Sequence, residues 1–222
     1  MSGQDQGEPG ARDEAGEPVR SRLSDSGRVE AFSDGVLAIV ITLLVLGLRA
    51  PDQRGAMVHQ LLQQWPAYVA YLASFGYVGV IWVNHHQLFT RIVAVDAGLL
   101  WRNLALLLLT SVLPFPTAVL SSAFEYGGRG DQKAGMIFYA LVACAMASTW
   151  LVLFHYLSVN ERLIASDTPA AFFADERRRA LLGMIAYLTA ALVALWQPVA
   201  GLVIACALPV FYGLTSEGWS RT

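Results

Sequence analysis

The sequence predicts an all-α membrane protein with six transmembrane helices, and three observations carry that prediction. Of 222 residues, 55% are hydrophobic and only 14% are charged. The mean hydropathy is +0.48. The apolar residues also gather into long stretches with almost no charge inside them. Soluble domains carry roughly 25% charged residues, so water is the wrong solvent for this chain. A spanning helix needs roughly 20 mostly apolar residues to cross about 30 Å of hydrocarbon.

Residues 1–24 are rich in Gly, Glu, Asp and Arg and hold no apolar run. Too little surface is available for burial to offset the entropy of ordering, so a disordered tail is expected there, without a signal peptide. The membrane domain is expected over 25–216, with a short tail at 217–222. The first span runs over about 27–48 and is closed by Arg49, Ala50 and Pro51. The second apolar stretch, about 61–93, is longer than one crossing and should tilt or project beyond the bilayer. The third covers about 99–121, where Pro114 and Pro116 should bend the helix. The fourth covers about 134–157. A helix start is expected at Asp167, Thr168 and Pro169, ahead of a fifth span at about 180–196. The sixth, about 199–214, is separated from the fifth only by Gln197 and Pro198. Proline lacks an amide proton and crowds the preceding turn, so that junction is either a tight reversal or the kink of one long helix.

With six spans, both termini lie on one side with the loops near 91–102 and 158–179. Eleven of the 15 Lys and Arg residues then share that side, and Arg49, Arg54, Arg129 and Lys133 face the other. The positive-inside rule makes the crowded side cytoplasmic and gives a multi-pass protein of the cell membrane. A net charge of -2 gives no reason to expect a nucleic-acid partner.

The first span carries the informative chemistry, because Arg28, Ser33 and Asp34 lie at the cytoplasmic edge of an otherwise apolar helix. A carboxylate well inside a spanning helix costs about 2.5–3.5 kcal/mol on insertion scales, so Asp34 needs a partner. Arg28 is one candidate. The cytoplasmic end of the second span offers Trp82, Asn84, His85, His86 and Gln87, and Arg102 and Asn103 open the third at the same depth. A polar network among these helices is expected, with fixing of the packing its commonest role. At roughly 100° per residue, Gly35, Thr42, Leu43 and Leu46 fall within about 60° of Ile39. Such a stripe is more often a packing or lipid-facing seam than a pore lining. Branched aliphatics beside one hydroxyl nevertheless suit a gate that closes by dewetting.

Several stretches together resemble a known family. Arg28-Val-Glu-Ala-Phe32-Ser33-Asp34-Gly35, followed by Ala38-Ile39 and Thr42-Leu43-Leu44, is similar to the first-helix signature of the transmembrane protein 175 family of potassium channels. Ala70 to Phe75, Trp82-Val83-Asn84-His85-His86, and Asn103 through Leu113-Pro114-Phe115-Pro116-Thr117 add to the likeness. The resemblance is strong over the first three spans and rests on helix count beyond them. It implies a homotetramer whose first helices surround one pore that conducts K+ passively. Ile39, Leu43 and Leu46 would form the constriction, and Thr42 a hydroxyl layer beside it. Arg28, Phe32, Ser33 and Asp34, with Trp82, His85 and Asn103, would form the network that holds the pore helices. By the same resemblance, a chain with one Phe-Ser-Asp element would need four copies, embedded in lipid, with K+ as the permeant ion and no cofactor. The filter order Thr-Val-Gly-Tyr-Gly is absent from the sequence, and Ser74 to Gly79 reads instead as a small-residue surface for close helix packing.

Other classes fit less well. A secondary transporter, or a proton or cation leak pathway of the same architecture, is the alternative; no internal repeat supports a transporter. An intramembrane enzyme needs a nucleophile and base, or metal ligands, at suitable spacing, and the polar groups here cluster at one edge instead. His85 and His86 are about 100° apart on a helix and make a poor metal pair. Cys144 and Cys206 lie in apolar segments and read as small hydrophobes.

Overall fold

The structure, a computed structural model, describes residues 26–51, 56–169 and 171–215. The tails expected at 1–24 and 217–222 lie outside the described residues. Those residues form α1 (Ser26–Leu44), α2 (Met57–Gln63), α3 (Trp65–Phe89), α4 (Ala97–Val112), α5 (Pro114–Glu125), α6 (Arg129–Val159), α7 (Phe172–Ala194) and α8 (Pro198–Thr215). A single 3-10 turn, Val45–Gly47, extends α1. Among the described residues, four helical stretches are long and apolar enough to cross a membrane: Ser26–Gly47, Trp65–Phe89, Ala97–Glu125 and Arg129–Val159. The protein is therefore multi-pass. α8 is apolar but shorter, and α7 opens on a charged segment that includes Asp175, Glu176 and Arg177 to Arg179.

Proline decides two boundaries. The long apolar run at 61–93 divides at Gln64, and α3 starts on Trp65 and Pro66, where a missing N–H leaves no intrahelical bond unmade. The third span breaks at Leu113: Pro114 has no proton for the Thr110 carbonyl, and the Leu113 N–H takes it at 3.1 Å. The helix is thus interrupted at Leu113 while the span continues to Glu125. At Gln197-Pro198 the chain reverses. α7 and α8 are separate helices packed antiparallel, with the Tyr212 hydroxyl donating to the Arg179 carbonyl at one end and Gly201 against Ala190 and Ala194 at the other. The helix start expected at Asp167 to Pro169 lies later, at Phe172. Residues Asp167 and Thr168 are turn, and the Phe172 N–H bonds the Pro169 carbonyl.

α6 is the central post, packed against α4, α5, α7 and α8, while α3 is flanked by α1, α5 and α8. Leu37, Val40 and Leu44 seat α1 on the bundle, and Met136, Ala143, Met146 and Leu153 fill the inner face of α6. A buried polar knot ties three helices: Ser74 Oγ lies 2.8 Å from Thr117 Oγ1 and 3.2 Å from the Tyr139 hydroxyl. The two glycines after Ser74 are not points of close approach within the protomer. A side chain on Gly76 would meet Pro209 at an ordinary 3.5 Å, and one on Gly79 would meet nothing within 4 Å. Close approach belongs instead to Gly201, where a Cβ would stand 2.7 Å from the Ala190 carbonyl.

The loop between α3 and α4 and the loop between α6 and α7 meet at the bundle end that holds Ser26. Ile92 and Ile164 form an antiparallel bridge, with Val93 N–H to Leu163 O at 2.9 Å and Ala165 N–H to Arg91 O at 2.8 Å. Asp96 locks the junction. Its carboxylate caps α4 through the Leu99 N–H at 2.9 Å and accepts from the Tyr156 hydroxyl at 2.8 Å and from Arg162 at 3.1 Å. Partial desolvation pushes this carboxyl up, and the hydrogen bonds and the Arg162 charge outweigh it, holding the group below the usual carboxylate range. A depressed carboxylate contributes stability above its unfolded value near 3.9 and loses it as pH falls through the folded value. Gly98 is where the Tyr156 hydroxyl passes, and a Cβ there would collide with it. Gly98→Ala is therefore expected to lower the melting temperature and shrink the loss of stability as the pH falls below about 4, read by thermal unfolding across pH. An unchanged acid profile would show that Tyr156 does not hold Asp96.

Candidate functional site

α1 and α3 cross antiparallel at the Ser26 end, and residues four apart on each helix face one another. The Trp82 indole Nε1–H donates to Asp34 Oδ1 at 3.0 Å. One turn away, Glu30 Oε1 and His86 Nδ1 pair at 2.7 Å. Trp82 and His86 stack with centroids 6.4 Å apart, which keeps the two rungs in register. Both rungs lie on the rim of the α1–α3 seam, since Trp82 and His86 are exposed.

A second chain of bonds runs inside the bundle. Ser33 Oγ–H donates to the Val29 carbonyl at 2.9 Å, Asn103 Nδ2–H donates to Ser33 Oγ at 2.9 Å, and His85 Nε2 lies 3.0 Å from Asn103 Oδ1. The directions follow from the end of the chain. A carbonyl only accepts, so the hydroxyl proton of Ser33 is spent on Val29 and its oxygen receives the amide of Asn103. Asn103 Oδ1 is then an acceptor, and His85 must present Nε2–H to it. The His85 ring stacks on Phe89 at 4.3 Å and meets Trp150 edge-on at 6.5 Å, so its orientation is held by packing as well as by the bond. Ser33, His85 and Asn103 are all buried. One hydrogen-bonded line thus joins α1, α3 and α4.

The rest of α1 divides sharply. Leu37 and Val40 are 1% exposed, whereas Ile39 is 60% and Leu46 74% exposed. Leu43, Phe32, Thr42 and Arg28 share the open side, and so do the small residues Ala31, Gly35 and Ala38. Only 22% of the apolar window of α1 is buried in the protomer, against 39–44% in the other three long spans. The Thr42 hydroxyl donates to the Ile39 carbonyl at 2.8 Å.

The structure therefore brings Ser33, Asp34, Trp82, His85 and Asn103 together, in two separate strings. It places Arg28 and Phe32 on the uncovered face with Ile39, Thr42, Leu43 and Leu46. Asn84 turns to a small cavity between α3, α6 and α7, and Arg102 lies over the Tyr156 ring at 3.8 Å. Glu30 is the residue that sequence reasoning missed. The signal was its spacing, one helical turn before Asp34, opposite an indole and an imidazole with the same spacing on an antiparallel neighbour. Among the described residues no group of three or more His, Cys, Asp or Glu side chains forms a metal cluster.

Comparison with known proteins bears on this site directly. The sequence profile of the family described as endosomal/lysosomal potassium channel TMEM175 matches residues 28–114, the stretch that holds most of α1, both rungs and Asn103. A potassium channel of Streptomyces collinus is 40% identical over 167 residues, covering 74% of this chain and 80% of that protein. A potassium channel of Chamaesiphon minutus is 39% identical over 146 residues, covering 64% and 70%. The crystal structure of a lysosomal potassium-selective channel TMEM175 homolog from Chamaesiphon minutus superposes with a TM-score of 0.76 at 30% identity, over 86% of this chain and 98% of that one. The chain belongs to the TMEM175 channel family.

Proposed function

We propose that this chain is one subunit of a potassium-selective channel in which four copies place their α1 helices around a central pore. The single observation that carries the reading is the bare face of α1. Its Leu37 side is packed and its Ile39 side is left open by the other described helices of the protomer. Open apolar side chains alone suit lipid equally well. The row of small residues beside them, Ala31, Gly35 and Ala38, favours another helix, because small side chains let helix backbones approach closely in a membrane. Names and structures of its relatives supply the ion.

In this arrangement Ile39, Leu43 and Leu46 stack as hydrophobic rings that gate by excluding water. Thr42 sits between them, and its proton is already given to the Ile39 carbonyl. Its lone pairs therefore face outward and can replace part of the water shell of K+. The Ser33–Asn103–His85 line and the Asp34–Trp82 rung set the angle at which α1 leaves the bundle, with Arg28 and Phe32 acting across to neighbouring subunits. α7 and α8 complete six crossings. Among the described residues, seven arginines lie at the Ser26 end, at positions 28, 91, 102, 162, 177, 178 and 179, against Arg49, Arg129 and Lys133 at the other. That imbalance supports a cell-membrane protein with both ends of the chain in the cytoplasm. No enzymatic step or cofactor enters; the energy source is the ion gradient.

Purified protein in liposomes should pass K+ in preference to Na+ or H+ without ATP, and its detergent-solubilised complex should have the mass of four chains. Thr42→Val should lower the preference for K+ over Na+ severalfold with the mass unchanged. A single-chain mass together with absent flux would overturn the reading.

A further inference from the structure

We infer that each subunit carries a binding site for the headgroup of an anionic phospholipid in the groove between α4, α6 and α7. This open groove, about 740 Å³, lies at the Ser26 end of the bundle, apart from α1. Its polar lining is Arg102, His155, Tyr156, Arg177 and Arg178, and among the described residues no carboxylate lines it. Asp96, the nearest acid along α4, is already engaged by Tyr156 and Arg162. Asp175 lies on α7 outside the lining. Among the described residues, the positive charge facing the groove is therefore uncompensated from within it.

Two features make this more than a cluster of flanking arginines. Arg102 is held in place, its guanidinium 3.8 Å from the Tyr156 ring centroid and bonded through Nη1 to the Gly98 carbonyl at 2.8 Å. An arginine fixed in this way loses little freedom when it meets a phosphate, and its fork matches two phosphate oxygens. The groove is also amphipathic along the bundle axis. Its remaining walls include Leu151, Val152 and Leu181, and the exposed apolar line continues down α7 through Ile185, Leu188 and Leu192. A headgroup among the arginines would thus lay its acyl chains on a stripe already open to the bilayer. Basic pockets between spanning helices with apolar flanks suit anionic lipids on electrostatic grounds. A free phosphate would use the arginines and leave the stripe idle, so the lipid is the favoured occupant. The inference needs the bundle to stand in a bilayer and does not depend on which ion it passes.

The test is native mass spectrometry of the full-chain complex titrated with phosphatidylglycerol or phosphatidylcholine. Saturable binding of one phosphatidylglycerol per subunit is expected, well ahead of phosphatidylcholine. Arg178→Gln should weaken it by about fivefold, and Arg102→Gln with Arg178→Gln should bring it to the phosphatidylcholine level. Arg178 is exposed, so its variant stays informative even if Arg102→Gln disturbs folding. Arg28→Gln, at the same end and outside the groove, should leave lipid binding unchanged. Equal binding of both lipids would overturn the site. Equal weakening by Arg28→Gln would also overturn it, in favour of diffuse attraction, and displacement by inorganic phosphate at matching concentration would overturn the lipid as occupant. Potassium flux of the unsubstituted protein is read separately, so its failure would not be confused with failure of the lipid site.

Discussion

Replacing Ile39 with Asn should raise cation leak through the reconstituted protein by about tenfold or more, with K+ preference reduced. Ile39 makes little contact with its own protomer, being 60% exposed, so the amide disturbs no core and four-chain assembly should survive. In a ring of four, the apolar side chains exclude water by their surface, and an ion must pay the cost of leaving its shell. Asparagine holds water at that level. Each 1.4 kcal/mol removed from such a barrier is about a tenfold gain in rate. Leu43→Asn should act in the same direction, less strongly where Leu43 is partly covered at 41% exposure. Unchanged flux and unchanged ion preference in both variants would mean that α1 faces lipid.

Asn103→Leu is expected to cause the largest loss of stability among single substitutions at the candidate site. One interhelical hydrogen bond in a membrane averages only about 0.6 kcal/mol, because the separated helices find other partners. Stranding is costlier. Leucine leaves the His85 Nε2–H without an acceptor in a buried site, and a stranded buried polar group costs about 1–3 kcal/mol. Ser33 keeps its bond to Val29 and loses its donor. The effect is read as a lowered unfolding midpoint in detergent. The double variant with Ser33→Ala should cost less than the sum of the two single changes, since both act on one line of bonds. Strict additivity would show that the line has no joint role. Asp34→Asn is the contrast: its oxygen still accepts from Trp82 on the exposed rim, and a small change is expected.

Much of the architecture was legible along the chain because a bilayer imposes length and apolarity on each crossing. α1 and α6 lie close to their expected bounds for that reason. The interruption near Pro114 was also legible, since a missing N–H acts locally whatever surrounds it. The site was legible in part. Asp34 needed a partner and Trp82 was among the candidates, but two separate strings of bonds were not separable in one dimension. Glu30 with His86, and Ser33 with Asn103, depend on how far each helix is rotated about its axis. Rotation is set by the packing of Leu37, Val40 and Leu44 against the bundle. The role of Ser74 was misjudged for the same reason: its hydroxyl meets Thr117 and Tyr139 from two other helices, and the glycines that permit close contact lie elsewhere.

Hydropathy, proline position and motif were enough to establish a helical membrane protein and to bring its first helix under suspicion, because each is a property of consecutive residues in a nearly uniform solvent. Folding in space supplied what no run of letters contains. It divided α1 into a seated side and an open one, aimed the His85 proton at Asn103, and gathered Arg102 with Arg177 and Arg178 above an apolar stripe. Those outcomes turn on the mutual rotation and crossing of helices, which arise from contacts between residues tens of positions apart.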